Sequence, residues 1–354
     1  MNISNIPTID GHVHVYTPAC LDYFEKYRTE NGFDAINVAC LCNLNEEMAN
    51  DATQNILAAI FKLKNPHIYA HAGLVYPEFP VPATLPDEYD FEAQARELLK
   101  MGFDGIKMLE AKPTVRKMTK MPIDDPKFDG FYAYLEKEHV HIVSHTADPE
   151  TFWMKDKAPE FSFVEGWFYG DGTFPTKQSL YDEVDRVLEK FPDLCFTLPH
   201  FYFLSDFPEK ADAFLDAHPG VFFDLTPGRE MYDNFTRHHE EFCDLFARRY
   251  DRIMFGTDMT SSEFQGSPAD MISAIKRFLC TDDEFEYWDF AIHGVNLPED
   301  KAKAILHDNF ISRVGANPKP IDRAMLARYI EKHIAGIRSD DARKFILDFA
   351  ESEL

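Results

Sequence analysis

Positive charge is scarce in this chain. Its 354 residues hold 36 Lys and Arg against 61 Asp and Glu, a formal charge of −25 with histidines neutral. No long basic stretch offsets that deficit, which argues against a nucleic-acid backbone or an anionic membrane as partner. Long apolar runs are missing too, and none approaches the roughly 18 residues of a membrane span. The opening MNISNIPTIDGHVHVY has no basic stretch followed by an apolar one, so the expectation is a soluble, cytoplasmic protein. No C-x-x-C pair occurs among Cys20, Cys40, Cys42, Cys195, Cys243 and Cys280. They read as reduced, mostly buried thiols, with Cys42 singled out because it stands near the end of an apolar strand. What is plentiful is core material. Hydrophobic residues make up 45% of the chain, which excludes a disordered or fibrous one.

Short apolar runs at 8–15, 35–41, 68–75, 103–109, 141–145, 194–200, 221–225 and 252–258 read as strands. Between them, 46–62, 91–100, 128–138, 180–191, 210–217 and 235–250 carry helical periodicity. Gly102 and Gly220 stand where a helix should stop before the next strand. Eight strands, most of them followed by a helix, predict a (β/α)8 TIM barrel over about residues 8–315. An open doubly wound sheet needs a Gly-rich phosphate turn after its first strand, and none is present. Further helical stretches at 269–279, 299–314, 323–334 and 341–350 supply a closing helix and a C-terminal cap of about 316–354, all within one domain spanning 1–354.

Two connections are long, 111–127 after strand four and 147–179 after strand five. Both leave from the face where such barrels carry active sites. The first gathers Lys112, Arg116, Lys117 and Lys120 in an otherwise acidic chain, which reads as a patch for an anionic substrate or as a solvated loop. The second holds Phe152, Trp153, Phe161, Phe163, Trp167, Phe168, Tyr169 and Phe174. Such a density of aromatics suits a lid that excludes water, or a satellite core under a long loop.

Chemistry concentrates at strand ends. In Asp10-Gly11-His12-Val13-His14 the two imidazoles share one side of strand one. Strand five ends at His145, strand six at His200 and strand eight at Asp258. Alternation puts His141, Val143 and His145 on one face, Phe196, Leu198 and His200 on another, and Met254, Gly256 and Asp258 on a third. If those faces point inward, four imidazoles and a carboxylate meet at the barrel mouth, a donor set suited to a divalent ion with an open position. His139-Val140-His141 and His238-His239 read as structural pairs. Lys107, near the end of strand four, is placed to hold a substrate anion beside the metal or to pair with a nearby carboxylate. Asp224 and Arg229 shape the pocket at most, as do Tyr16 and Cys42.

The segments IDGHVHVY, SHTADPETFW, TLPHFYF, MFGTDM and AILHDNFISR together resemble the amidohydrolase superfamily, and within it the amidohydrolase-2 group of metal-dependent hydrolases and decarboxylases. The resemblance covers roughly residues 8–315. It implies His12, His14, His145 and Asp258 as metal ligands, with His200 a ligand or a catalytic imidazole. It also permits a two-ion centre bridged by a carboxylated Lys107, with His12, His14 and Asp258 on one ion and His145 and His200 on the other.

The expected function is hydrolysis of a C–N or C–O bond in a small, anionic molecule by metal-activated water. Asp258 moves the proton, His200 stabilises the oxygen that gains charge, and Lys107 or Arg116 holds the substrate. Zn²⁺ is the expected ion, with Mn²⁺ the other choice, as one ion or two. A non-oxidative decarboxylase is the alternative, and a barrel that binds without catalysis is the second. A homodimer is the expected assembly.

Overall fold

The computed structural model describes residues 6–44, 51–76, 90–260 and 267–354. One parallel sheet is built from β1 (Ile9–His14), β2 (Ala35–Ala39), β3 (Ile68–Gly73), β4 (Gly105–Ala111), β5 (His141–Thr146), β6 (Cys195–Leu198), β7 (Val221–Asp224), β8 (Ile253–Met254) and β9 (Met259–Thr260). Each strand lies beside its sequence neighbour, except that β9 flanks β1. β8 and β9 are the two ends of one segment, 253–260, which meets β7 at its start and β1 at its finish. Between them, Gly11 N donates to Phe255 O (3.1 Å) and Asp258 N to His12 O (2.9 Å). The sheet thus curls into the TIM barrel that the eight apolar runs predict.

Alternation sorts the side chains into three populations. Ile9, Ala35, Tyr69, Phe222 and Met254 form a small apolar floor at the strand starts, plugged by Phe310 from the helix at Asn309–Val314. Outward residues such as Val38, Ile106, Ile142, Phe196 and Phe223 join the large core under the surrounding helices. Above the floor a polar belt crosses the interior. His71 Nε2 meets His141 Nδ1 at 2.7 Å, Asn37 Oδ1 accepts from His71 Nδ1 (2.7 Å), and His141 Nε2 meets Thr197 Oγ1 (2.8 Å). Burial is the largest cause holding His141 down, at about 3, and His71 is depressed for the same reason. Both are therefore neutral hydrogen-bonding groups at ordinary pH. That role suits the structural reading of His141, while His139 is an exposed residue with φ 51 after the preceding helix.

Several helices differ from expectation. A helix at Ala19–Glu30 follows β1, burying Cys20, Leu21, Phe24 and Tyr27 on one face. The stretch at 46–62 is helical over Thr53–Lys64, and residues 45–50 lie outside the described part. The periodicity at 235–250 divides at His238 into helices Arg229–Arg237 and His239–Arg249. Gly102, at φ 119, caps the helix at Phe91–Met101 as predicted. Gly220 does not cap a helix: the preceding one ends at Ala217, and a Cβ on Gly220 would sit 2.2 Å from Leu194 O. Close approach of two chain segments demands that glycine. A short antiparallel hairpin, Glu284–Tyr287 with Phe290–His293, stands apart from the barrel. Helices Arg323–His333 and Asp340–Glu353 follow the barrel at its C-terminal end. No helix among the described residues is long and apolar enough to cross a membrane, and none of the six cysteines is in a disulfide.

Candidate metal centre

Alternation puts His12 and His14 on one side of β1, and the β1–β2 register shift between Asp10 and Val13 brings that side to the interior. Below the shift Ile9 faces the floor, and Asp10 turns outward to brace the joint. Its Oδ1 accepts from His12 N and Thr257 N (both 3.1 Å), and its Oδ2 accepts from Tyr27 OH (2.6 Å) and Thr257 Oγ1 (2.7 Å). Burial outweighs those bonds and raises Asp10 to about 6.

His12, His14 and Asp258 each offer a donor atom within 4.8 Å of the others. His14 Nδ1 donates to Ala39 O at 2.6 Å, which turns its Nε2 lone pair toward Asp258 Oδ1, 2.7 Å away. Two acceptors that close need a cation or a second proton between them. His12 is fixed in the same sense, with Nδ1 donating to Asp224 Oδ2 (3.0 Å) and Nε2 lying 3.7 Å from Asp258 Oδ1. Burial, then the Lys107 charge, holds His12 down at about 4, the neutral form that a metal requires. The Asp258 carboxyl lies well below its ordinary range. Burial opposes ionisation there, but the hydrogen bond with His14 and the electrostatic pull of the surrounding imidazoles outweigh it. Imidazole nitrogens held by partners on their far side, converging on a carboxylate, are a donor set that fits a divalent ion.

His200 joins this group by an unexpected route. Phe196 and Leu198 face the outer core rather than the interior, so the alternation drawn through them to His200 does not hold. Pro199 ends the strand run, and residues 200–203 then turn left-handed, with φ of 57, 52, 54 and 50. That turn swings His200 Nε2 to 3.9 Å from Asp258 Oδ2 and stacks its ring on Phe203. Asp224 Oδ1 and Thr226 Oγ1 accept from His200 N (2.9 and 3.1 Å), and the ring Nδ1 donates to Thr226 O (3.2 Å). Asp224 therefore orients both His12 and His200. Burial raises its carboxyl, yet the hydrogen bond and charge of His12, with lesser help from His200 and Thr226, bring it down to about 2.

His145 stands one step away. Its ring centroid is 5.0 Å from that of His200, but Nε2 turns to Ala147 O (3.0 Å), Asp148 Oδ1 (3.4 Å) and Lys112 Nζ (3.5 Å). Burial, then the charge of Lys112, depresses it to about 3. Lys107 is buried with Nζ 3.2 Å from His12 Nε2 and pushed down to about 8 by burial. Among the described residues no carboxylate lies within salt-bridge distance of it, so it is not the paired lysine of the simplest reading. Arg116 does not reach the cavity: its guanidinium pairs with Glu183 at 3.1 Å on the helix at Lys177–Lys190. Lys117 bonds Thr173 Oγ1 and covers the Phe174 ring. Arg116 and Lys117 are thus engaged elsewhere, on the helix Pro113–Thr119, whereas Lys112 lines the cavity and pairs with Asp148 at 3.1 Å.

Above the group opens a cavity of about 610 Å³, lined by His145, His200 and Asp258 together with Phe152, Phe161 and Trp167 from the long aromatic connection. Lys177 and Glu230 also line it, and neither was singled out from the sequence. Lys177 donates to Phe203 O (3.3 Å) and, among the described residues, has no carboxylate within salt-bridge distance. Burial lowers it to about 8 against the pull of Glu150, Asp148 and Glu230. Tyr16 packs near the His14 ring, 6.3 Å between centroids, whereas Cys42 is buried in the outer core. The side chain of Arg229 lies outside the described part.

The family model described as Amidohydrolase (Amidohydro_2) matches residues 9–309. No curated protein matches the chain by sequence. Among solved structures it is similar to 4-oxalomesaconate hydratase from Rhodopseudomonas palustris, with 14% identity, TM-score 0.54, and 92% of this chain and 98% of that one covered. It is also similar to 5-carboxyvanillate decarboxylase from Sphingomonas paucimobilis, with 11% identity, TM-score 0.53 and coverages of 88% and 99%. A third is IDCase from Metarhizium anisopliae, with 16% identity, TM-score 0.55 and coverages of 89% and 98%.

Proposed function

The chain belongs to the Amidohydrolase family, and from that premise we propose a metal-dependent hydrolase that cleaves a C–N or C–O bond in a small anionic substrate. The observation that carries the reading is the convergence of His12 Nε2 and His14 Nε2 on Asp258, each ring fixed from behind. His12, His14 and Asp258 would hold the ion, and His200 and His145 would be the ligands of a second one. A divalent ion, Zn²⁺ before Mn²⁺, supplies Lewis acidity and lowers the pKa of a water to about 7.

The protein's own groups do the rest. Asp258 stays ionised and takes the proton of the attacking water, then returns it to the leaving atom. His200 presents Nε2 to the oxygen that gains charge, with its ring locked by Phe203 and Thr226. Lys177, a cation with no carboxylate in salt-bridge distance among the described residues, holds the substrate anion at the cavity wall, and Lys107 does so beside His12. The aromatic connection keeps bulk water out. Arg116, committed to Glu183, has no part in this.

A second reading, non-oxidative decarboxylation, is favoured by Lys107 beside His12, where an ammonium can steady a substrate carboxylate. Reaction in ¹⁸O-water and in deuterium oxide separates the two. Hydrolysis puts ¹⁸O into product, and decarboxylation puts deuterium on carbon with loss of CO₂. Asp258→Asn should lower kcat by about 10²–10⁴-fold on either route, and unchanged turnover would remove Asp258 from the chemistry. We further propose a single domain, a homodimer and a cytoplasmic location, which size-exclusion light scattering and fractionation test.

A further inference from the structure

Away from the cavity, four potential metal ligands meet where the helix His239–Arg249 touches the hairpin. His239 and Cys243 stand one turn apart on the same helix face, with Cys243 Sγ 3.4 Å from His239 Nε2 and 3.9 Å from Nδ1. His293 closes the hairpin opposite Glu284, and Asp282 precedes it by two residues. His293 Nε2 and Asp282 Oδ1 are 3.3 Å apart, and the rings of His239 and His293 lie face to face at 3.6 Å, 4° from parallel. His239, Asp282 and His293 each bring a donor atom within 4.8 Å of the others. A tetrahedral zinc site separates its ligand atoms by about 3.3–3.7 Å, so the stacked imidazoles must rotate out of their parallel arrangement for these three, with Cys243 Sγ beside His239, to close on one ion.

We propose that His239, Cys243, Asp282 and His293 form a second cation site, outside the barrel, for a divalent ion that accepts thiolate and imidazole, Zn²⁺ above all. One orienting partner is already in place: His239 Nε2 donates to Gly294 O at 2.9 Å, leaving Nδ1, 3.9 Å from Cys243 Sγ, as the ring's acceptor, the arrangement that orients histidine ligands. Asp282 and Glu240 add negative charge around the thiol, and burial with their charges holds Cys243 above its ordinary range. Loading therefore displaces a proton from Cys243 Sγ to solvent as the sulfur–metal bond forms, and uptake strengthens as pH rises. Hard oxygen-seeking cations such as Mg²⁺ do not suit this donor set.

The site reaches the cavity through the hairpin it anchors. Phe290, at the hairpin turn, lines the cavity, and Trp288 packs on Tyr232, 5.5 Å between centroids. An ion at the hairpin base ties that wall to the helix beneath and steadies the cavity edge without touching the reacting atoms.

The test titrates metal-free full-length protein with Zn²⁺ and counts the ions retained after desalting. Wild type should keep one equivalent more than Cys243→Ser or Asp282→Asn, each with affinity for that equivalent weakened at least tenfold. Both changes lie at partly or fully exposed positions, away from the reacting atoms. With Co²⁺ in place of Zn²⁺, wild type should show a sulfur-to-cobalt charge-transfer band that Cys243→Ser loses. A His14→Ala/Asp258→Asn protein should retain both the extra equivalent and the band, which keeps this outcome independent of the centre at the barrel mouth. Equal ion counts in wild type and both single variants, or no sulfur-to-cobalt band in wild type, overturns the proposal.

Discussion

At the scale of single residues, the largest lesson comes from Asp224. Its sequence position marks it as no more than a pocket shaper. In the fold one oxygen fixes His12 and the other the backbone of His200. Changing Asp224 to Asn leaves one acceptor oxygen where two are used, so the His12 ring and the His200 backbone can no longer both be held. Metal affinity should fall about 10–100-fold, with activity restored at raised metal concentration. Equilibrium dialysis across metal concentrations checks this, and unaltered affinity would deny Asp224 its orienting role. Lys177 makes a pH prediction. Its folded pKa of about 8 lies below the ordinary 10.5, so the ammonium that holds an anion fades above about pH 8. KM for an anionic substrate should climb by up to about tenfold per unit there, and Lys177→Met should flatten that climb. The same shift has a definite sign for folding. Between about 8 and 10.5 the unfolded chain binds more protons at this group, so its contribution to stability grows as pH rises. His12, His14 and Asp258 were legible because strand-end position and residue type announce themselves locally. Lys177, Glu230 and the double duty of Asp224 depend on which distant segments fold against one another, and a single chain carries no local mark of that.

Elements tell a different story. The strands were readable because each is a short apolar run bounded by turn residues. The helix Ala19–Glu30 was missed although its buried residues keep helical spacing, and it starts at Pro18 without a side-chain cap to mark its beginning. Strand six shows how alternation misleads near an element's end. Parity was extended through Pro199 to His200, but four left-handed residues follow the strand and reset the direction of every side chain. Such conformations cost of order 1–3 kcal/mol each, offset here by the packing of Phe201 and Tyr202 into the outer core. In β4, a Cβ on Gly105 would lie 2.3 Å from His71 Nε2 and 2.4 Å from His141 O. Gly105→Ala should therefore break the polar belt and lower stability by about 1–3 kcal/mol. Urea unfolding measures it, and a wild-type midpoint would mean that the belt tolerates displacement.

For the whole molecule, −25 formal charges surround a cavity proposed to receive an anion. The long-range field opposes the approach of such a substrate, while buried Lys107 and Lys177, little screened by salt, reverse the sign locally. The barrel's closure bears on the same centre. His12 and His14 belong to the first strand and Asp258 to the last, and the two are joined by few backbone bonds, with Asp10, Thr257 and Tyr27 as side-chain braces. An ion shared by those three ligands would act as a rivet across the chain's most distant seam. Amide hydrogens of Gly11 and Asp258 should then exchange fastest among the strand amides of metal-free protein, and slow the most when the ion is added. Assembly of the reaction centre and completion of the cylinder then become one event, and loss of the ion loosens the seam together with the site.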